Sequence, residues 1–262
     1  MSILSVFDKH TSGPRVERIR HESKVRTAQV SQVERLTPGM LRVTFTGDEL
    51  SDFISLAADD HVKLSVPTRM GMIARRDYTP RRYDAQANSL VIDFAVHDAG
   101  PATQWALNAR PGDRLQIGGP KGSMVVAPDV RRWLLIGDET ALPAIGRRIE
   151  EAVSGTEITS IVAVSGSSEH QTFETAATLA AHWAHRPLSA ADDPGALLAT
   201  AESIDLAPET FVWLAAEAHV ARAIRSWLIE EKGHPKGWIK AGGYWVTGKA
   251  NAHERLITSH AP

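Results

Sequence analysis

The hydrophobic pattern changes partway along this chain of 262 residues, and that change constrains the fold more than any single motif. From Val25 to about Val126, short runs alternate apolar and polar residues between turn-forming residues, as in HVKLSVP at 61–67. This pattern is typical of antiparallel strands in a small barrel or sandwich. One helix, GPATQWALNA at 100–109, is expected to interrupt the strands.

After 127–129 the chain alternates strands with helices. WLLIGDETALPAIGRRIEEAV and TFVWLAAEAHVARAIRSWLIEEKG each read as a buried strand, a loop and an amphipathic helix, and EITSIVAVSG reads as another buried strand. This order predicts a mainly parallel sheet. We therefore predict a two-domain α+β protein: an N-terminal antiparallel β-barrel at 1–127, beginning with an arm at 1–24, and a C-terminal α/β domain at 128–262. For 169–208 we expect helices but predict no topology.

Composition excludes several classes of protein. The chain has no cysteine, so it has no disulfide framework, thiolate metal site or cysteine-ligated iron–sulfur cluster, and redox chemistry would need a bound cofactor. A net charge of -2 gives no sign of nucleic-acid binding. The pattern of a signal peptide and a long apolar run are both missing, so we expect a cytoplasmic protein without membrane insertion, and a monomer by default.

The run RDYTPRRY at 76–83 carries three arginines, two tyrosines and a threonine. Arg76 offers a guanidinium for a phosphate, Tyr78 a flat ring to lie along a flavin, and Thr79 a hydroxyl or amide for the polar edge of the flavin ring. Taken alone, the run is equally typical of a surface hairpin held by salt bridges. We assign these three residues to a flavin because of the element that follows.

That element is the helix beginning at Gly100 and Pro101. A helix N-terminus after a strand exposes backbone N–H groups to an anion, which suits a pyrophosphate, and Thr103 can add a hydroxyl. Further on, GDETALPA at 137–144 lacks the GxGxxG fingerprint, and the residues alone are more typical of a strand-to-helix turn capped by Asp138 or Thr140 than of a nucleotide site. AGGYW at 241–245 follows a predicted last strand, GWIK, and brings two aromatic rings to the carboxyl edge of the sheet.

Seven ordered stretches covering nearly the whole chain resemble the siderophore-interacting proteins, which are FAD-dependent ferric-siderophore reductases related to the ferredoxin reductases. The stretches are DDHVKLSVP, RDYTPRRYD, IDFAVHDAGPATQWA, PGDRLQIGGPKGS, GDETALPAI, VWLAAEAHVARAIRSWL and AGGYWVTGKA. The resemblance implies an FAD-binding barrel followed by an NAD(P)H-binding domain. It implies cofactor contacts at Arg76, Tyr78, Thr79, Arg81, His97, Gly100, Pro101, Ala102, Thr103, Lys121, Gly122, Ser123, Asp138, Glu139, Thr140, Glu217, Tyr244 and Trp245. Ala216 departs from the family, which commonly has glycine there, and its methyl group would narrow the approach of the backbone to the nucleotide.

The function that the resemblance implies is reduction of chelated Fe(III) to Fe(II) by NADH or NADPH through FAD, which releases iron from a siderophore. The siderophore fills the coordination sphere of the iron, so no protein ligand to iron is expected. We discount His182 and His185 in HWAH as a metal site because no third ligand is evident among the eleven histidines. Cations beside the flavin would attract an anionic chelate, for which we name Lys63, Lys240 and Lys249. Two alternatives stay open: a flavoprotein reductase of this fold with another acceptor, and a siderophore-binding protein without enzymatic activity.

Overall fold

The computed structural model describes residues 13–68, 70–96, 100–249 and 252–256. Within these ranges fifteen strands form three sheets, and four α-helices accompany them. The elements of the N-terminal half are β1 (Val16–Arg20), β2 (Val25–Thr37), β3 (Met40–Thr46), β4 (Val62–Pro67), β5 (Ile73–Tyr78), β6 (Arg82–Asp84), β7 (Ser89–Ala95), α1 (Pro101–Asn108), β8 (Arg114–Gly118) and β9 (Gly122–Val126).

Seven of these strands form one antiparallel sheet in the order β5-β4-β8-β2-β3-β7-β6. Its two edge strands, β5 and β6, are joined by only three residues, 79–81, so the sheet curls round and its edges meet as in a barrel. The inward face is apolar, and Phe45, Leu64 and Phe94 are fully buried. Helix α1 covers this core, with Trp105 placed 6.0 Å from the rings of both Phe45 and Phe94. In the predicted arm, residues 16–20 form β1, which pairs antiparallel with β9.

The C-terminal half contains a six-stranded sheet in the order β12-β11-β10-β13-β14-β15. Its elements are β10 (Arg132–Asp138), α2 (Leu142–Glu150), β11 (Glu157–Val164), β12 (Thr178–His185), α3 (Gly195–Glu202), β13 (Thr210–Glu217), α4 (Ala218–Glu230), β14 (Ile239–Trp245) and β15 (Glu254–Arg255). The first five strands in that order are parallel and β15 is antiparallel. The chain reverses direction across the sheet between β10 and β13, and ligands of such sheets bind outside the carboxyl ends of the strands at this switch point.

The predicted fold class is confirmed, one local expectation is incomplete and another is wrong. Residues 169–208 hold a strand, β12, as well as helix α3, because the alanine-rich run TLAAHWAH pairs along its whole length with β11. The last parallel strand does not end before AGGYW: β14 runs through Trp245, since it pairs with β13 up to Glu217. Within the described ranges, none of the helices combines the length and apolar composition needed to cross a membrane.

Candidate functional site

Arg76, Asp77 and Tyr78 are the last three residues of strand β5, and Thr79 follows the strand directly. Side chains alternate along this strand, so Arg75 and Asp77 are exposed while Arg76 and Tyr78 are half-buried on the other face. The ring of Tyr78 packs 4.4 Å from that of Phe94, and burial raises the pKa of the Tyr78 hydroxyl. Tyr78 therefore presents a fixed, neutral ring beside the guanidinium of Arg76.

Arg76 has no carboxylate partner within the described ranges, and its guanidinium donates only to the backbone oxygen of Arg75, at 2.9 Å. Arg26, Arg42 and Arg147, in contrast, each pair with a carboxylate. A half-buried guanidinium without a carboxylate suits an external anion, because its planar fork can bind phosphate oxygens in pairs.

Helix α1 packs across β4 and β5, the strand that carries Arg76. Gly100 occupies the N-cap position and has no side chain to bond the first N–H groups, while Pro101 follows at the start of the helix. Ala102 and Thr103 are buried against the barrel. His97, also predicted here, lies outside the described residues. A guanidinium, a flat ring and an uncapped helix start together fit the phosphates and ring system of FAD.

In the second half of RDYTPRRY, Arg81 and Tyr83 form contacts within the protein. The buried Arg81 guanidinium donates two bonds to Glu150 on α2, at 2.7 and 2.5 Å, and lies 3.6 Å from Asp93. The hydroxyl of Tyr83 donates to the backbone oxygen of Leu50 at 2.6 Å. The structure therefore places Arg81, which the resemblance assigns to FAD, between the two domains with its donors already in use.

Residues 121–123 also combine an exposed side chain with residues that pack within the protein. Lys121 is exposed. A Cβ atom on Gly122 would lie 2.5 Å from the backbone oxygen of Ile19, so glycine lets β1 pair closely with β9. The buried Ser123 hydroxyl donates to Asp60 at 2.6 Å, which ties the loop 55–60 to β9. Gly122 and Ser123 thus have packing roles that do not depend on a cofactor.

Asp138 connects three strands at the carboxyl edge of the parallel sheet. Its buried carboxylate accepts hydrogen bonds from the Thr140 backbone N–H and hydroxyl, at 2.9 and 2.5 Å. The other carboxylate oxygen accepts from the Glu217 N–H and the Trp245 indole N–H, both at 2.9 Å. The ends of β10, β13 and β14 are therefore fixed by one side chain, at the switch point of the sheet.

Glu217 caps helix α4. One carboxylate oxygen accepts from the N–H groups of His219 and Val220, and the other accepts from the Thr247 N–H at 3.1 Å. The methyl group of Ala216 is buried in the apolar cluster under α3 and α4, on the side of the sheet opposite to α2. It therefore does not narrow the approach to the carboxyl edge.

Tyr244 lies in the apolar cluster on the α2 side of the sheet, where its ring meets that of Trp213 edge-on at 6.0 Å. Burial, with the nearby carboxylates of Asp59, Asp138 and Asp60, raises the pKa of the Tyr244 hydroxyl. This ring thus stays neutral and is held beside the carboxyl edge, where a flavin or nicotinamide ring would bind.

Arg147 on α2 joins the two domains, and no motif in the sequence identifies it. Its buried guanidinium donates to the Ser55 hydroxyl at 2.7 Å, the Pro80 oxygen at 2.9 Å and the Ser55 oxygen at 3.0 Å. Its Nε–H donates to Glu151 at 2.7 Å. The i, i+4 spacing of Arg147 and Glu151 was visible in the sequence, but the barrel partners were not.

Removing this connection should destabilise the protein. We expect Arg147→Ala to lower the free energy of unfolding by about 2–3 kcal/mol, because the oxygens of Ser55 and Pro80 lose a buried donor. Urea unfolding followed by tryptophan fluorescence measures the change, with Arg132→Ala, an exposed arginine of the same domain, as the control. Equal midpoints for the two variants would contradict a clamping role.

Two of the three lysines named for an anionic chelate already have partners. Lys63 lies 2.9 Å from Asp77, and Lys240 lies 2.6 Å from Asp59, whose other contact is the Trp213 indole N–H at 3.0 Å. Lys249 is exposed, and no carboxylate partner is recorded for it among the described residues. Lys240 and Asp59 therefore connect β14 to the barrel loop, which leaves Lys249 as the most accessible of the three cations.

No group of three or more metal-binding side chains comes together in the part of the chain that the structure describes. His182 and His185 project from opposite faces of β12, because residues three apart on a strand alternate sides. They cannot share a metal ion in this arrangement.

Comparisons with known proteins agree over both domains. The family model for the siderophore-interacting FAD-binding domain matches residues 29–75 and 69–124, and that for siderophore-interacting protein matches 130–248. An NADPH-dependent ferric-chelate reductase of Escherichia coli is 30% identical over 251 residues, covering 87% of this chain and 96% of the relative. The ferric vibriobactin reductase ViuB of Vibrio cholerae is 33% identical over 138 residues, covering 45% of this chain and 51% of the relative.

A solved structure extends the likeness to three dimensions. The crystal structure of a siderophore utilization protein from T. fusca matches with a TM-score of 0.83 and 33% identity, covering 91% of this chain and 98% of that chain. The likeness therefore includes the barrel, the parallel sheet and their connection.

Proposed function

Because the chain belongs to the siderophore-interacting protein family, we infer that it is an FAD-dependent oxidoreductase that reduces the iron of a ferric siderophore. The observation that carries this function is the match over both domains to a relative named as a ferric-chelate reductase. Reduction weakens the hold of a siderophore on iron, so the product is released Fe(II). The cytoplasmic location and monomeric state expected from the sequence stay predictions.

We propose a flavin crevice, in which FAD would lie between β5, α1 and the carboxyl edge of the parallel sheet. Arg76 and the first turn of α1 would bind the phosphates, while Tyr78 and Thr79 would contact the ring system. Tyr244 and Trp245 would close the opposite side, and Asp138 holds the indole of Trp245 by a hydrogen bond. Bound FAD supplies the link between a two-electron hydride donor and a one-electron ferric acceptor.

NADPH is the proposed electron donor, since the relative similar over almost its whole length is named as NADPH-dependent. The nucleotide would lie along the carboxyl edge of the parallel sheet, with its nicotinamide towards the switch point between β10 and β13. The residues of this edge would hold the nicotinamide against the flavin and exclude water from the contact. The carboxylates of Asp138 and Glu217 are used in hydrogen bonds within the protein.

The chelate would approach the exposed side of this crevice, near Lys249. We expect Lys249→Glu to raise the KM for an anionic ferric chelate about threefold at low salt, because charge reversal turns attraction into repulsion. Lys236→Glu, the same change beyond the other end of β14, is the control. Steady-state rates at two salt concentrations measure the effect, and an unchanged KM would remove Lys249 from the mechanism.

An anaerobic absorbance experiment tests the function. Purified protein loaded with FAD is mixed with NADPH and then with a ferric siderophore. We expect the flavin band to bleach with NADPH and to return when the chelate is added. Failure of the chelate to restore the band, while a quinone or an acceptor protein does so, would replace the proposed acceptor. Failure to bind FAD at all would overturn the assignment.

A further inference from the structure

Two histidines meet at the carboxyl edge of the parallel sheet, away from the flavin crevice. His185 is the last residue of β12, and His170 lies in the loop that follows β11. Their Nε2 atoms are 2.8 Å apart, and both side chains are exposed. One ring therefore donates an N–H to the other, and this hydrogen bond lies at the exposed surface.

The positions of these rings are fixed by packing. His170 stacks on Trp183, with ring centroids 4.6 Å apart and planes inclined by 12°. His185 is held by the pairing of β12 with β11, in which it lies opposite Val164. The pair is thus a prearranged set of two nitrogens rather than two side chains that happen to be close.

The charged groups next to the two histidines in the sequence are already engaged. Arg186 is buried and pairs with Glu139 at 2.6 Å. Glu169 accepts from the Thr37 hydroxyl at 2.5 Å and the Gly39 N–H at 3.0 Å. The pKa of His170 is lowered by partial burial and by the adjacent His185 ring.

We propose that His170 and His185 bind the 2′-phosphate of NADPH and so select NADPH over NADH. This rests on the proposed function, in which the nucleotide lies along the carboxyl edge of the sheet. Strand β12 is two strands from β10, about 10 Å along that edge, and an extended dinucleotide starting at the switch point can span this separation. A phosphate can accept one N–H from each imidazole, which replaces their mutual hydrogen bond with two charge-assisted bonds.

Kinetics with the two nucleotides test the selection. We expect the double variant His170→Gln with His185→Gln to raise the KM for NADPH about tenfold and to leave that for NADH within about twofold. His182→Gln, which changes the opposite face of the same strand, is the matched control and should change neither. Equal effects on both nucleotides would overturn the proposal, since they would indicate a structural role.

A charge-retaining variant separates recognition from structure. Arginine at position 185 cannot make the histidine pair, yet it supplies a permanent cation, so His185→Arg should keep the preference for NADPH. Imidazoles bind phosphate when protonated, so the wild-type preference should grow from about pH 8 to about pH 6, whereas that of His185→Arg should change less. Loss of the preference in His185→Arg would count against phosphate binding.

A binding measurement keeps this inference distinct from the catalytic one. Calorimetry with the FAD-loaded protein compares 2′,5′-ADP with 5′-AMP and does not depend on electron transfer. The wild type should bind 2′,5′-ADP about tenfold more tightly, and the double glutamine variant should bind the two alike. If the wild type binds 2′,5′-ADP and 5′-AMP equally, the histidine site is overturned even if NADPH reduces the flavin. If the wild type binds 2′,5′-ADP more tightly, the site is supported even if NADPH does not reduce the flavin.

Discussion

Replacing Arg76 by alanine should weaken FAD binding by about 10- to 100-fold, which matches the loss of a charge-assisted bond to a phosphate at roughly 1.5–3 kcal/mol. The effect falls on the cofactor because Arg76 has no carboxylate partner in the described part of the chain, and its single recorded bond is to a backbone oxygen. Folding should change little, since few contacts within the protein are lost.

Flavin fluorescence titration measures this affinity, and urea unfolding of the cofactor-free protein checks stability. Arg75→Ala is the matched control: it removes the same kind of side chain from the next position, on the exposed face of β5. The control should bind FAD like the wild type. If Arg76→Ala also keeps wild-type affinity, the phosphate does not lie at β5 and the site assignment is wrong.

Asp138→Ala should lower the free energy of unfolding by about 4 kcal/mol. One carboxylate accepts four hydrogen bonds, and without it the buried N–H of Glu217 and the indole N–H of Trp245 have lost their acceptor. Without Asp138, the ends of β10, β13 and β14 should also lose their alignment at the carboxyl edge. We therefore expect NADPH to reduce the bound flavin more slowly in this variant.

Chemical denaturation measures the stability, and Trp245→Phe serves as the comparison. That change removes one of the four donors and keeps an aromatic ring, so it should cost about 1 kcal/mol. A similar loss in both variants would mean that the indole contact dominates the network. An Asp138→Ala variant as stable as the wild type would show that water replaces the carboxylate without penalty.

The fold could be predicted from the sequence because its two patterns, alternation in the first half and strand–helix alternation in the second, are local. The strand β12 could not: TLAAHWAH is rich in alanine, which favours helices, and only pairing with β11 makes it a strand. The contact between His170 and His185 depends on that strand, so no reading of HWAH alone could find it.

For the candidate site, the sequence predicts which types of residue are present, but it does not predict their hydrogen-bond and ion-pair partners. The sequence indicated that RDYTPRRY carries more arginine than a turn needs, but the use of Arg81 depends on Glu150, 69 positions further along the chain. The sequence predicts Asp138 in the loop after the first α/β strand, whereas it is the last residue of β10. Its bonds to Glu217 and Trp245 arise only when three parallel strands end together. The sequence predicts Lys240 as an accessible cation, because its partner Asp59 is far away along the chain and meets it only in the folded protein.

Strand β5, which carries the proposed FAD contacts, leads directly into residues that α2 binds through Arg147 and Glu150. The affinity for FAD and the docking of the two domains should therefore be coupled. Within three residues of Tyr78, the chain is held by Arg147 at Pro80 and by Glu150 at Arg81. Linkage requires that whatever favours the docked arrangement also favours the ligand that binds it, and to the same extent. A substitution of Arg147 or Glu150 in α2 should therefore change the affinity for FAD, and screening for cofactor retention should also select for a well-packed interface.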